Sequence, residues 1–114
     1  MVSEGIVIGS DTLTTSASSG YANVRTVSSN YTATSSDYVI LVNAAGGDIT
    51  ISLPSASTVT GKLYSIVKID ATGNTVTIDP SGSETISGST TIPLSDQWGG
   101  VKIISDGSNW VIVP

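Results

Sequence analysis

The segment Gly61-Lys62-Leu63-Tyr64-Ser65-Ile66-Val67-Lys68-Ile69-Asp70 gives the clearest structural signal in the chain. Tyr64 and Ile66 alternate with Leu63, Ser65 and Val67, and Val67 and Ile69 carry apolar character onto the opposite face. Alternation with a period of two marks a strand, and apolar residues on both faces place that strand in the middle of a sheet. Outward from it, Ile49, Ile51 and Leu53 alternate with Thr50 and Ser52, and Val76 and Ile78 with Thr75 and Thr77. Val101 and Ile103 flank Lys102, and Trp110 and Ile112 interleave with Val111 and Val113. No window sustains apolar residues at the three- and four-residue spacing of a helix. Val, Ile and Thr make up about a third of the 114 residues, a composition that favours strands.

Between the runs lie turn residues. Ala44-Ala45-Gly46-Gly47 joins a strand near 38–43 to one near 48–53, and Ala71-Thr72-Gly73-Asn74 joins 62–70 to 75–79. Both read as hairpin loops. Asp106-Gly107-Ser108-Asn109 reads as a third, between 101–105 and 110–113. Short strands are expected at 84–86 and 89–94, with another over 21–27. This spacing points to an all-β fold, a compact antiparallel β-sandwich or barrel-like domain. The first part of the chain is polar and weakly patterned apart from Ile6-Val7-Ile8. Residues 1–29 are therefore expected to form an N-terminal arm and residues 30–114 the β-domain. Ile6, Val7 and Ile8 are the candidate particle anchor, suited to adding a strand to a neighbour's exposed sheet edge.

Composition excludes much. The chain has no His and no Cys, which removes a conventional Ser-His-Asp triad, cysteine nucleophiles, disulfides and ordinary zinc or haem sites. Its net charge is -5, with Arg25, Lys62, Lys68 and Lys102 scattered singly, so neither nucleic acid nor an anionic membrane surface is an expected partner. Apolar stretches such as Tyr38 to Val42 are too short to span a bilayer, and the N-terminus does not read as a signal peptide.

Two loops have acidic residues near cation-binding spacing: Asp106-Gly107-Ser108-Asn109, and Asp70, Asn74 and Asp79 around another turn. The first lacks the closing Glu of a calcium loop, and the residues of the second could meet a cation at the turn tip; turn capping is the expected role of both. Asp48, Asp70, Asp79, Glu84, Asp96 and Asp106 all fall at loops or strand ends, where solvent keeps carboxylates ordinary. No catalytic, cofactor-binding or metal-ligating residue is expected, and the protein reads as a non-enzyme. Among the aromatic residues, Tyr64 and Trp110 read as core anchors. Trp98, after Asp96-Gln97 and before Gly99-Gly100, is the candidate for a ligand face.

The order of motifs carries a further expectation. Tyr31-Thr32-Ala33-Thr34 is followed by Asp37-Tyr38-Val39-Ile40-Leu41-Val42-Asn43, Ile49-Thr50-Ile51-Ser52-Leu53-Pro54 and then 61–70. Asn74-Thr75-Val76-Thr77-Ile78, Glu84-Thr85-Ile86-Ser87-Gly88 and Ser105-Asp106-Gly107-Ser108-Asn109-Trp110 complete the set. This ordered set resembles a small β-rich module of tailed-bacteriophage virion surface proteins, found in head fibres, spikes and tail-fibre tips. The resemblance implies a homotrimer on the outer surface of the virion. It implies a structural role as a capsid decoration or head-fibre subunit, bound to the capsid or another virion protein. A self-contained chain beginning at Met1, without a heptad-repeat shaft, favours that role. The alternative is a receptor-binding tip domain of a tail fibre that recognises cell-surface glycan. The resemblance carries no catalytic residue onto this chain.

Overall fold

The computed structural model describes residues 21–114. These form β1 (Val24–Val27), β2 (Tyr31–Thr32), β3 (Val39–Val42), β4 (Ile49–Ser52), β5 (Leu63–Lys68), β6 (Val76–Asp79), β7 (Ile92–Leu94), β8 (Gly100–Ser105) and β9 (Trp110–Ile112). One turn of 3-10 helix, Ala56–Thr58, interrupts the strands. The expected all-β character holds. Strands β1, β3, β5, β8 and β9 form a five-stranded sheet in that order, and β2, β4, β6 and β7 form a four-stranded one. β5 is the middle strand of the larger sheet, as its two apolar faces require.

The antiparallel arrangement is corrected to a mixed one. From β1 to β6 the chain passes from one sheet to the other at every connection, and each strand lies parallel to its counterpart in the next circuit. Val24 stands opposite Val39, and Val39 opposite Ser65, in the larger sheet. Tyr31 stands opposite Ile51, and Ile49 opposite Val76, in the smaller. Antiparallel pairing begins only with β7 on β6, β8 on β5 and β9 on β8. The described domain is a short parallel winding closed by antiparallel strands.

The correction has a local cause. Ala44–Gly47 and Ala71–Asn74 are corners between sheets, not hairpin loops, so the strands on either side of each do not pair with one another. Their backbone groups are satisfied between circuits instead. Asn43 donates to Val27 O at 2.9 Å, Ile69 to Val42 O at 2.9 Å and Ile49 to Thr75 O at 3.0 Å. Side chains extend the same pattern: the Thr50 N–H meets Asn30 Oδ1, and the Thr75 N–H meets Asp48 Oδ1, each at 2.8 Å. Such a corner lets Ile40 and Val42 of one sheet face Ile49 and Ile51 of the other across a single core. The 106–109 hairpin does form, with Ser105 opposite Trp110. The expected 84–86 strand is reduced to bridges from Ile86 to Ser89 and Trp110, and the 89–94 strand shortens to β7.

The core is lined by inward-facing residues of both sheets. Trp110 and Tyr64 are its largest members, with ring centroids 5.5 Å apart and planes tilted by 39°. A pair of this kind contributes about 0.5–1.5 kcal/mol beyond its buried area. Ile112, expected to share the buried face of Trp110, is instead 43% exposed, because β9 is an edge strand of the larger sheet. At the other edge, β1 pairs in register with β3, so the sheet takes in Val24–Val27, which the expected boundary assigns to the arm. Ile6, Val7 and Ile8 lie outside the described residues.

Candidate functional site

Trp98 stands in the turn that leads into β8. The Gly99 N–H bonds to Asp96 O at 3.0 Å, closing a β-turn in which Trp98 is the third residue, with φ of 69°. A turn with positive φ at its third residue normally carries Gly or Asn, because a side chain there crowds the backbone. Two further bonds lock the turn to the end of β5: Trp98 N–H to Lys68 O at 2.7 Å and Lys68 N–H to Gly99 O at 2.9 Å. Two residues of one strand thus oppose one of the other, which is a β-bulge, a device that re-aims a side chain at the margin of a sheet. The bulge turns the indole outward, and it is 68% exposed. Among the described residues, that indole makes no hydrogen bond or ring contact.

The glycines beside it are required by close approach. A Cβ on Gly100 would lie 2.9 Å from Ile66 O and 3.0 Å from Val67 Cγ2, and one on Gly99 would lie 3.0 Å from Asp96 O. The left-handed backbone at Trp98 costs a non-glycine residue about 1–2 kcal/mol. Ser87 is the other described non-glycine residue with positive φ, at 47°. There the side chain is used: Ser87 Oγ accepts the Ile112 N–H at 2.8 Å.

Directly beneath the Trp98 turn is a buried charge. Lys68 follows Tyr64 and Ile66 on the inward row of β5 and is fully buried. Its ammonium donates to Asp70 Oδ2 at 2.8 Å, Thr72 O at 2.7 Å and Asp70 O at 3.1 Å. Asp70 Oδ1 accepts the Ala44 N–H at 2.7 Å, and Asn74 Nδ2 donates to Ala44 O at 2.7 Å. Asp70 Oδ2 also accepts the Thr72 hydroxyl. Burial works against charge on Asp70, but Lys68, Thr72 and the Ala44 N–H outweigh it and hold the carboxyl well below the usual range. Asp70 and Asn74 therefore meet over Ala44 and tie two circuits together, while Asp79 does not join them. Turn capping within their own loop is only part of their work.

A second buried carboxylate lies near β1. Asp37 is 3% exposed and accepts from Tyr31 Oη at 2.6 Å, Arg25 Nε at 2.9 Å and the Thr34 N–H at 2.9 Å. Burial pushes its carboxyl up, yet these donors keep it below the ordinary value. An anion so saturated is an acceptor and a brace, not a general acid. Arg25 itself remains half exposed and lies 5.2 Å from the Tyr31 ring centre. An open groove beside it is lined by Asn23, Val24, Arg25, Thr26, Ser36 and Asp37. Asp106 is likewise engaged locally: its Oδ1 accepts the N–H groups of Ser108 at 2.9 Å and Asn109 at 2.8 Å, which closes the hairpin.

The sequence reading places Lys68 among four singly scattered basic residues and gives no role to Asp37. Lys68 does carry a signal, since it continues the period-two row of Tyr64 and Ile66. Asp37 carries little: Thr34 is within local reach, but Arg25 on β1 and Tyr31 on β2 are brought to it only by the tertiary fold. No group of three potential metal-ligating side chains converges among the described residues. In comparison with known proteins, no family model and no curated protein matches the chain.

Proposed function

We propose that the protein is a non-enzymatic structural component of a tailed-phage particle, a capsid decoration or head-fibre subunit on the outer surface of the virion. In this reading it is a homotrimer, and the segment ahead of β1 attaches it to the capsid or another virion protein through Ile6, Val7 and Ile8. The observation that carries the reading is the difference between the two ends of the winding. The far end is blunted by antiparallel strands, with Pro93 in the middle of the edge strand β7. At the near end, β1 is a regular strand without proline whose one charge, Arg25, is paired with Asp37; three of its four residues are exposed, and no described strand lies on its outer side. Repeating windings need both ends covered, so an end left open among the described residues supports a protein built to be joined to something else.

The low charged fraction of 11% supports burial between subunits as well, because charged residues are depleted at interface centres. Three experiments test the reading. Imaging of particles labelled for this chain should place it on the outer surface, and absence of label from intact particles would overturn it. Light scattering should return three times the chain mass, and a stable monomer at micromolar concentration would overturn the trimer. Removing residues 1–20 should leave a folded domain that no longer enters particles. Normal incorporation of that truncated chain would end the attachment role. The second reading, a glycan-recognising tip of a tail fibre, is favoured by one observation, the exposure of Trp98.

A further inference from the structure

We propose that Trp98 is a stacking platform for a saccharide ring, held out by the bulge between β5 and β8. The inference rests on the second reading above and gives it a site. It begins from what the residue does not do for the fold. The contacts that lock the turn use only the backbone of Trp98, to Lys68 O, and that of Gly99, to the Lys68 N–H. Any residue supplies that N–H, and glycine would supply it without crowding at φ of 69°. The indole adds no buried packing, being 68% exposed, in contrast to Trp110 at 1%. A strained position that returns nothing to stability is where a functional constraint is sought.

The surroundings select the ligand class. Ser95, Asp96 and Gln97 before Trp98 and Gly100 after it are all exposed, so the indole stands in a polar, exposed turn. A protein hot spot sits instead at the centre of a charge-depleted apolar patch. A nucleobase would stack equally well, but a phosphate backbone needs clustered basic residues; Lys68 is fully buried in its own network, which leaves exposed Lys102 alone near the turn in a chain of net charge -5. A pyranose has an apolar C–H face for the indole and hydroxyl groups at its rim. Those hydroxyls suit the acceptors beside the platform: the Asp96 carboxylate and the Gln97 amide oxygen. The Gln97 amide nitrogen is held by Ile69 O at 3.2 Å, which fixes that side chain. A rigid aromatic flanked by a few placed polar groups is the usual make-up of a small-ligand site.

The test uses the full chain on a printed array of purified bacterial O-antigen, capsular and teichoic-acid saccharides, followed by titration with the strongest binder. The wild-type protein should bind at least one saccharide. Trp98→Gly should weaken that binding by about tenfold or more, with the melting temperature unchanged or raised, and Trp98→Phe should retain part of it. The chain has two tryptophans, so a 15N spectrum holds two indole N–H signals, one of which disappears in Trp98→Gly. That signal alone should shift on saturation with the saccharide. Full binding by Trp98→Gly would overturn the platform while leaving a glycan-recognising tip intact. Binding to no saccharide on the array would overturn both. A lowered melting temperature or a dissociated oligomer in Trp98→Gly would show that the indole packs against a partner, and would overturn the platform as well.

Discussion

β8 is bounded by two turns that treat their tryptophans in opposite ways. The turn leaving it, Asp106–Asn109, meets each backbone demand with a suitable residue: Gly107 takes φ of 99°, and the Asp106 carboxylate caps two N–H groups. Trp110 follows and is buried against Tyr64. The turn leading into β8 uses glycine where close approach demands it, then places Trp98 where glycine is favoured and turns the ring into solvent. The lesson is that the same residue type, two positions outside one end of a strand or just beyond the turn at the other, serves packing in one case and is available for recognition in the other. Burial and backbone strain separate the two roles; residue identity does not.

The largest effect is expected at Trp110. Trp110→Ala removes the biggest core side chain and should lower stability by about 3–5 kcal/mol, as read from chemical denaturation. In a domain of this size that is a large share of the total of about 5–15 kcal/mol. Trp110→Phe sharpens the point. Among the described residues the buried Trp110 Nε1 has no hydrogen-bond partner, and an orphaned donor costs about 1–3 kcal/mol, so losing it offsets much of the lost area. Phe should therefore be far milder than Ala. Equal loss in both variants would break the assignment of Trp110 as a packing residue.

Acid should come next. Asp37 and Asp70 are both held below the ordinary carboxyl pKa, so the unfolded chain binds protons that the folded chain refuses. Their stabilisation is complete above the unfolded value of about 3.9 and is lost as the pH falls below it toward the folded values. With no His in the chain, no side chain titrates ordinarily near neutrality. Denaturation midpoints should be flat from about pH 5 to 8 and fall steeply toward pH 3, with a shallower fall in Asp37→Asn. The shift of buried Trp110 emission follows this unfolding, while exposed Trp98 contributes little to it.

Gly100→Ala probes the leading turn from the packing side. Backbone oxygen at 2.9 Å cannot move aside as a flexible side chain would, so a loss of about 1–3 kcal/mol is expected in the denaturation midpoint. The smallest change belongs to Trp98→Gly, where relief of the left-handed backbone is partly cancelled by the entropy of a new glycine. A gain between zero and about 1 kcal/mol should appear in the same measurement. A clear loss there would erase the contrast between the two turns.

Much of this was legible in the residues. The alternation of Ile49-Thr50-Ile51-Ser52-Leu53 and of Tyr64-Ser65-Ile66 places strands and their buried faces within a residue or two of where they lie. The 106–109 hairpin and the buried Trp110 follow from turn chemistry and pattern alone. The strain at Trp98 was not legible, because a dihedral sign depends on how the turn is bonded to Lys68, which is distant in sequence. Nor was the buried Asp37, whose donors Arg25 on β1 and Tyr31 on β2 meet only in the folded chain.

By itself, the sequence determined that the chain is all-β, where most strands lie, which face of each is apolar, and that chemistry based on His or Cys is absent. These properties are local: a period of two and a residue inventory need no partner to be read. Only the tertiary structure decided which strands pair, and in which direction. Ala44–Gly47 has the composition of a hairpin loop, and a hairpin would satisfy its flanking strands equally well locally. The chain instead turns the corner, because Val27 O, Thr75 O and the Asp70 carboxylate await the backbone donors around it. In that arrangement Ile40, Val42, Ile49 and Ile51 share one core. Pairing is chosen by the sum of long-range burial and hydrogen bonding over the whole winding, a quantity that no short stretch of sequence contains.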